Sequence, residues 1–189
     1  MVTLEEYLAF EMASPLRHEF VGGEVYPMAG TTRRHNQVVW NILSRIKASA
    51  AEGPCHVYFE AVKLRVGNDV YYPDVIVTCA TTDTDEQLVR EPCLVVEVTS
   101  PGSARIDRTE KLGRYQSLHS LQTYLVVEQA WRRVVRHWRR PTGEWAGDEI
   151  LDDGAVRLHC PEVLLTLSEI YKGLAPLSVK EMEAIGYTV

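Results

Sequence analysis

Residues 93–99, with the sequence CLVVEVT, form the most apolar predicted strand of the chain. A short apolar run of this length, ended by the turn-forming residues 100–103, is typical of a buried central strand. A second buried strand is predicted at residues 122–128, after a segment that holds one helix. This strand, helix, strand unit predicts two parallel strands joined by a right-handed crossover.

Periodicity and turn residues predict the remaining elements. They are helices at 3–12, 33–50 and about 106–118, a hairpin at Gly22 and Gly23, strands at 55–66, 70–79 (bent at Pro73), 132–140 and 155–160, and helices from Ser168 and Ser178. The strands at 132–140 and 155–160 are expected at sheet edges. The order favours an α/β (α+β) fold, a central mixed β-sheet flanked by helices. We expect one domain over 1–189, with a core at about 2–160 and a helical appendage at about 161–189.

Bulk composition excludes several classes of protein. The 189 residues are 46% hydrophobic and 24% charged, as in ordinary globular proteins, and no apolar run approaches a membrane span. The N-terminus lacks a basic segment followed by an apolar core, so we expect no signal peptide and a cytoplasmic location. A net charge of −6 argues against a surface coated with basic residues, although it leaves a nuclease open.

The cysteines give no local motif. Cys55, Cys79, Cys93 and Cys160 form no CxxC pair or other metal-like spacing. Cys79 and Cys93 belong to predicted core strands, where a free cysteine behaves as a small apolar residue. A structural disulfide is therefore not expected.

Glu97 is an acid inside the most apolar strand. A buried charge without a partner costs several kcal/mol at least, and the strand itself contains no basic residue. Asp74 lies at the entrance of the neighbouring apolar strand, so the two carboxylates predict a divalent metal site for Mg²⁺ or Mn²⁺. Two alternatives stay open: Asp74 accepting hydrogen bonds from local backbone, and Glu97 paired with a distant arginine.

These residues resemble a known motif. Pro73 and Asp74, followed by an apolar strand bearing Glu97, are similar to the PD-(D/E)XK nuclease superfamily, although Thr99 stands where that motif has lysine. A longer string resembles a bacterial family of restriction-endonuclease-like proteins over roughly residues 2–137. Its matching parts are TLEEYLAF, RHEFVGGEV, His35, the run from Glu97 to Pro101, and then Arg105, Asp107, Lys111 and Tyr115.

The resemblance implies a restriction-endonuclease-like fold and a metal-dependent nuclease acting on nucleic acid, with DNA favoured. Asp74, Glu97 and the Val98 carbonyl would hold Mg²⁺ or Mn²⁺. Lys111, on the following helix, would replace the missing lysine of the motif. Glu19 would be the accessory acid that contacts the metal through water, with Glu24 as its substitute.

Other residues carry weaker expectations. His35, Arg105 and Tyr115 would contact substrate, because a helix N-terminus and a guanidinium both attract phosphate. Each has a structural alternative: a solvated turn for His35, a solvated side chain for Arg105 and a half-buried ring for Tyr115. Lys111 could instead form a surface ion pair with Asp107, four residues earlier.

The most basic stretch is residues 131–140, which holds five arginines and two tryptophans. Such a strand suits a nucleic-acid backbone, or it is an edge strand protected from aggregation by charge. At the level of the whole protein, the alternatives are an inactive nuclease-fold module that binds nucleic acid or protein, and a metalloprotein acting on a small phosphorylated molecule. The resemblance also implies a homodimer, and the lack of a long apolar run argues against a membrane partner.

Overall fold

The computed structural model describes residues 1–28, 30–83, 85–99 and 110–187. Its helices are α1 Leu4–Ala13, α2 Arg33–Ala50, α3 Leu112–Gln116, α4 Leu167–Ile170 and α5 Val179–Ala184. Its strands are β1 His18–Val21, β2 Glu24–Pro27, β3 His56–Phe59, β4 Lys63–Val66, β5 Asp69–Tyr71, β6 Val75–Thr78, β7 Leu88–Val89, β8 Leu94–Thr99, β9 Thr123–Glu128, β10 Arg133–Arg139, β11 Trp145–Leu151, β12 Ala155–His159 and β13 Glu162–Thr166.

The main sheet has six strands in the order β11-β10-β9-β8-β6-β3. Its centre is the parallel pair β8 and β9, and its other neighbours are antiparallel. A second sheet has the order β2-β1-β5-β4-β7, and β12 and β13 form a separate hairpin. The predicted parallel unit and the mixed α+β architecture are thereby confirmed.

Alternating side chains of β8 bury both of its faces. Val96 and Val98 pack in the cluster that contains the apolar face of α2. Val95 points the other way, into a cluster shared with residues of the second sheet, such as Leu64 and Tyr71. Glu97 has the same parity as Val95, so its side chain is directed between the two sheets.

One long hairpin passes from the main sheet to the second sheet. The prediction of a single strand over 55–66 is wrong, because the chain bends between β3 and β4, where Glu60 has φ 55°. The bend predicted at Pro73 separates β5 from β6. Strands β3 and β6 pair in one sheet, while β4 and β5 pair in the other. The two bends therefore lie side by side, and Asp74 occupies one of them.

Local signals located several elements well. The helix α2 spans 33–50 as predicted, with Thr32 as its N-cap. Gly22 and Gly23 form the β1–β2 turn, with φ of 62° and 87°, which a side chain would disfavour. Thr3 caps α1 and Ser178 caps α5.

The C-terminal half differs from expectation. Strand β10 is not at an edge, since β11, which the sequence did not indicate, covers its outer side. The expected helical appendage from about residue 161 begins instead with strand β13. This strand and α4 pack against α2, and Leu165, Leu167 and Ile170 are fully buried in the main core. The segment is thus part of the domain core.

The cysteines also differ from expectation. Two disulfides join Cys55 to Cys79 and Cys93 to Cys160. The sequence could not show this, because the partners are separated by 24 and 67 residues and meet only when the sheet forms. Within the described ranges, no helix is both long and apolar enough to cross a membrane.

Glu11 fastens α1 to the second sheet. Its carboxylate accepts hydrogen bonds from the His18 backbone N–H at 3.0 Å and from the Tyr72 hydroxyl at 2.7 Å, and it contacts His18 Nδ1 at 3.0 Å. Burial alone would raise the pKa of Glu11, but these bonds from His18 and Tyr72 outweigh it and lower the pKa. The Glu11 carboxylate is therefore more stable in the folded chain than in the unfolded one.

We predict that Glu11→Gln lowers the free energy of unfolding at neutral pH by about 1–3 kcal/mol. Because the folded pKa lies below the ordinary 4.5, the stabilisation is present at neutral pH and is lost as the pH falls below 4.5. Denaturant unfolding should show a shallower acid decline for Glu11→Gln than for the native protein. The exposed Glu5→Gln on the same helix is the control, and equal acid slopes in all three proteins would contradict the prediction.

Candidate functional site

Asp74 and Glu97 lie on adjacent antiparallel strands. Val75 pairs with Val96 in the register of β6 and β8, so the next position sets Asp74 beside Glu97. Residues opposite one another in a strand pair point to the same face. In addition, Asp74 Oδ2 accepts the Val98 backbone N–H at 2.6 Å. The two acids that the sequence analysis paired are therefore neighbours, next to the backbone of Val98.

Lys111 reaches this face of the sheet from the residue that precedes α3. Its Nζ lies 3.0 Å from Glu97 Oε1 and 3.1 Å from Glu19 Oε1. The side chain of Lys111 is only 7% exposed, which excludes a solvated surface ion pair as its main contact. Residues 106–109 of the predicted helix, with Asp107, lie outside the described residues.

Tyr115 supports the same carboxylate from one helical turn further on. Its hydroxyl donates to Glu97 Oε1 at 2.9 Å, and its ring is fully buried against Tyr71 and Tyr124. Burial, and then the negative charge of Glu97, raise the pKa of Tyr115 well above its usual value. Tyr115 is therefore a permanent donor that orients Glu97, and it has little surface left for a substrate.

Glu19, and not Glu24, is the acid at the site. Glu19 lies on β1, and besides Lys111 it accepts the Tyr72 backbone N–H at 3.3 Å. Glu24 is exposed in β2, and its carboxylate accepts from the Tyr26 hydroxyl at 2.6 Å. The second sheet thus contributes one carboxylate to a site whose other acids belong to the first.

His35, in the first turn of α2, approaches Asp74 from the other side. Its Nε2 lies 3.3 Å from Asp74 Oδ2, with 13% of the side chain exposed. Burial opposes protonation of His35, but the hydrogen bond and charge of Asp74, together with the Val98 backbone, raise its pKa overall. The Nδ1 atom of His35 is buried and has no hydrogen-bond partner among the described residues. His35 is therefore a buried polar residue that lines the site, and not a solvated turn residue.

Thr99, at the position of the missing lysine, has a different task. Its hydroxyl donates to Glu128 Oε2 at 2.7 Å across the parallel pair of β8 and β9. Both side chains are buried. A lysine at residue 99 would have to fit beside this contact, whereas Lys111 enters from outside the sheet.

Two further residues border the site and were not anticipated. Glu60 donates its backbone N–H to the Asp74 carbonyl at 3.3 Å, and its Oε1 accepts from Asn36 Nδ2 at 3.3 Å. The charge of Glu60 contributes to the raised pKa of His35. Glu60 was missed because one unbroken strand was predicted over 55–66. The bend that brings Glu60 to Asp74 depends on long-range strand pairing, which the local sequence does not show.

The donor set fits a hard divalent cation. Asp74, Glu97 and the Val98 carbonyl offer adjacent oxygen ligands of the kind that Mg²⁺ and Mn²⁺ take. Glu19 and Glu97 contact the Lys111 ammonium, whereas Asp74 lies beside Glu97 and contacts His35. Three carboxylates gathered in a partly buried place are surroundings in which proteins hold a cation.

The basic stretch at 131–140 gives little free positive charge. Arg133 pairs with Glu149, and Arg136 pairs with Asp148 across β10 and β11. Arg139 donates to four backbone carbonyls and stacks on an indole ring. These guanidinium groups therefore bind β10 to neighbouring strands and loops. Arg105, the other predicted phosphate contact, lies outside the described residues.

The chain is similar to a known family and to known proteins. The model of a family called Uma2 and described as "Putative restriction endonuclease" matches residues 4–175. Two uncharacterized proteins of Synechocystis, sll1609 and slr1290, are similar in sequence. The first is 28% identical over 82% of this chain and 90% of its own length. The second is 29% identical over 90% of this chain and 92% of its own length.

A solved structure shares the fold. It is a crystal structure described as that of a putative nuclease belonging to DUF820, from Anabaena variabilis. It superimposes with a TM-score of 0.75 over 90% of this chain and 97% of that one, at 15% sequence identity. At this identity the likeness concerns the architecture, which both proteins reach with mostly different residues.

We predict that Lys111→Met destabilises the protein by about 3–5 kcal/mol, because it removes the cation that pairs with the buried Glu97 and the partly buried Glu19. Adding Glu97→Gln to Lys111→Met should recover part of the loss, since the buried carboxylate is then neutral. Denaturant unfolding measures both changes. Lys47→Met, on the exposed face of α2, is the control and should have little effect. Equal stability of Lys111→Met and the native protein would contradict the buried contact.

Proposed function

The chain belongs to the Uma2 family, whose description is putative restriction endonuclease, and we propose that it is a metal-dependent nuclease that hydrolyses phosphodiester bonds in DNA. The observation that carries the proposal is the buried Lys111 ammonium, which lies within 3.1 Å of Glu97 and Glu19. Asp74 stands beside them on the neighbouring strand. An acid pair and a lysine that converge at the end of a sheet can hold a metal ion and donate to a phosphate, which supports phosphodiester hydrolysis as the reaction.

We assign Asp74, Glu97 and the Val98 carbonyl to Mg²⁺ or Mn²⁺. When bound, the ion would lower the pKa of a coordinated water and offset negative charge on the phosphate. The hydrogen bond from Tyr115 and the contact with Lys111 hold Glu97 in one orientation. The Val98 N–H holds Asp74 in the same way. The chain therefore fixes both carboxylates before any ligand arrives.

Lys111 is assigned to the attacking water or to the scissile phosphate. Its ammonium can donate to either while Glu19 and Glu97 keep it aimed at the site. Donation by a positioned ammonium group stabilises the charge that develops in the transition state.

His35 is assigned to the substrate side of the site. It borders Asp74 in the first turn of α2, where backbone N–H groups and the helix dipole favour an anion. A protonated His35 would donate from Nε2 either to Asp74 or to a phosphate oxygen. We place this activity in the cytoplasm, where bacterial relatives would meet DNA.

Cleavage of supercoiled and branched DNA with Mg²⁺ or Mn²⁺ tests the proposal. We expect Asp74→Asn and Glu97→Gln to abolish turnover, and Lys111→Met to lower it by about 100- to 10,000-fold. Glu24→Gln, which changes an exposed acid on the strand next to Glu19, is the control and should cleave at the native rate. Cleavage that survives Glu97→Gln would refute the mechanism, and preferred cleavage of RNA would correct the substrate.

Calorimetry separates this proposal from the inactive nuclease-fold module. An active site should bind Mg²⁺ or Mn²⁺ with a heat that Asp74→Asn removes. Metal binding without cleavage of any nucleic acid would favour the inactive module, and loss of both would remove the metal assignment.

We further propose a homodimer, because two sites are needed to cut both strands of a duplex in one encounter. Sedimentation at micromolar concentration should give a mass twice that of one chain. A monomeric mass, with or without duplex DNA, would contradict it.

A further inference from the structure

All four cysteines of the chain meet at one place. Cys55 directly precedes β3, Cys79 directly follows β6, and Cys93 directly precedes β8. These three strands are neighbours in the main sheet, so the three residues lie together where the strands begin or end on one side of it. Cys160 comes from the turn between β12 and β13, a hairpin that packs on α2.

The sulfur atoms lie close together even between the two disulfides. Cys79 Sγ is 3.0 Å from Cys160 Sγ and 3.6 Å from Cys93 Sγ. The sulfurs of Cys55, Cys79 and Cys160 all lie within 4.8 Å of one another. In a tetrahedral zinc site with Zn–S bonds of about 2.3 Å, the sulfurs are about 3.8 Å apart. The four sulfurs therefore need only small shifts to form such a tetrahedron.

From this convergence we propose that the four cysteines are a redox-dependent zinc site. In the reduced protein, four thiolates coordinate one Zn²⁺; in the oxidised protein, the same sulfurs form the two disulfides of the structure. Four sulfur ligands are the set that zinc takes in closed structural sites, and they leave no position for substrate. The site would thus hold the fold together and not take part in phosphodiester chemistry.

The two forms are related by a balanced exchange. A dithiol reductant breaks each S–S bond, and each disulfide yields two thiols as one dithiol closes to its own disulfide. Binding of Zn²⁺ then releases four protons as the four thiols become thiolates. A cytosol rich in glutathione and thioredoxin would favour the reduced form.

Metal and oxidant can reach the cluster from solvent. A cleft of about 370 Å³ is lined by Cys55, Cys79, Cys93 and Cys160 together with polar residues such as Ser120. Cys55 and Cys79 are partly exposed, whereas Cys93 and Cys160 are buried. The cluster is therefore open enough for exchange with small solutes.

The cluster is separate from the carboxylate site. Asp74 and Cys79 flank β6 and are five positions apart, which is about 16 Å along an extended strand. Cys93 and Glu97 likewise lie toward opposite ends of β8. Zinc binding can therefore be tested without reference to nuclease activity.

The test is the metal content of the full-length protein, purified without oxygen in a phosphine reductant that competes poorly for zinc. We expect about one zinc per chain in the native protein and in Ser120→Ala, which changes the cleft but no sulfur. Cys160→Ser should hold less than about a tenth of that amount, because it removes one of the four ligands that a closed structural zinc site uses. Asp74→Asn should keep its zinc, which separates this site from the proposed nuclease site.

Cobalt gives a second measurement that needs no variant. Co²⁺ added to the reduced native protein should give sulfur-to-cobalt charge-transfer bands and the visible bands of tetrahedral geometry. Peroxide should then release the metal, and re-reduction should restore it. The proposal would be overturned if all four thiols reacted freely with a thiol reagent in excess Zn²⁺. It would also be overturned if protein from a reducing cytosol kept its disulfides and held no metal.

Discussion

The contact of Lys111 with Glu97 joins the parts of the fold that make the site. Glu97 comes from the centre of the main sheet, Glu19 from the second sheet, and Lys111 from the segment between β8 and α3. A buried carboxylate is costly without a cation, and a buried ammonium is costly without anions. Each of the three elements therefore depends on the other two to place its charge. A site of this kind forms only when the two sheets are packed together.

The bent hairpin explains how Asp74 reaches this contact. Strands β3 and β6 belong to the main sheet, whereas β4 and β5 belong to the second sheet, which carries Glu19 on β1. The bends at Glu60 and Pro73 lie side by side, so both strands of the hairpin pass from the main sheet to the second sheet at the same point along their length. Asp74 stands at that point, where its backbone carbonyl accepts from the Glu60 N–H and its carboxylate accepts from the Val98 N–H. The irregular backbone and the candidate ligands thus occur together.

Local patterns predicted the elements whose neighbours in sequence determine them. The apolar periodicity of α2, the two central strands and the Gly22–Gly23 turn all follow from short-range chemistry. The apolar strands pointed to Glu97 and Asp74, and the resemblance added Lys111. The paired β11, the cysteine partners and the acids that neutralise Arg133 and Arg136 depend on residues 12 to 67 positions away. No local pattern contains that information, because the sheet register creates those contacts.

Strands β6 and β8 carry oxygen donors at one end and sulfur donors at the other. Hard cations such as Mg²⁺ prefer the former and zinc prefers the latter, so the two ends would select different ions. The two ends are nevertheless coupled through strand register. A slip of one residue between β6 and β8 would turn Glu97 to the opposite face and separate it from Asp74 and Lys111. Four thiolates on one Zn²⁺ would fix Cys79 and Cys93 relative to each other, and would thereby hold the register on which the carboxylate site depends.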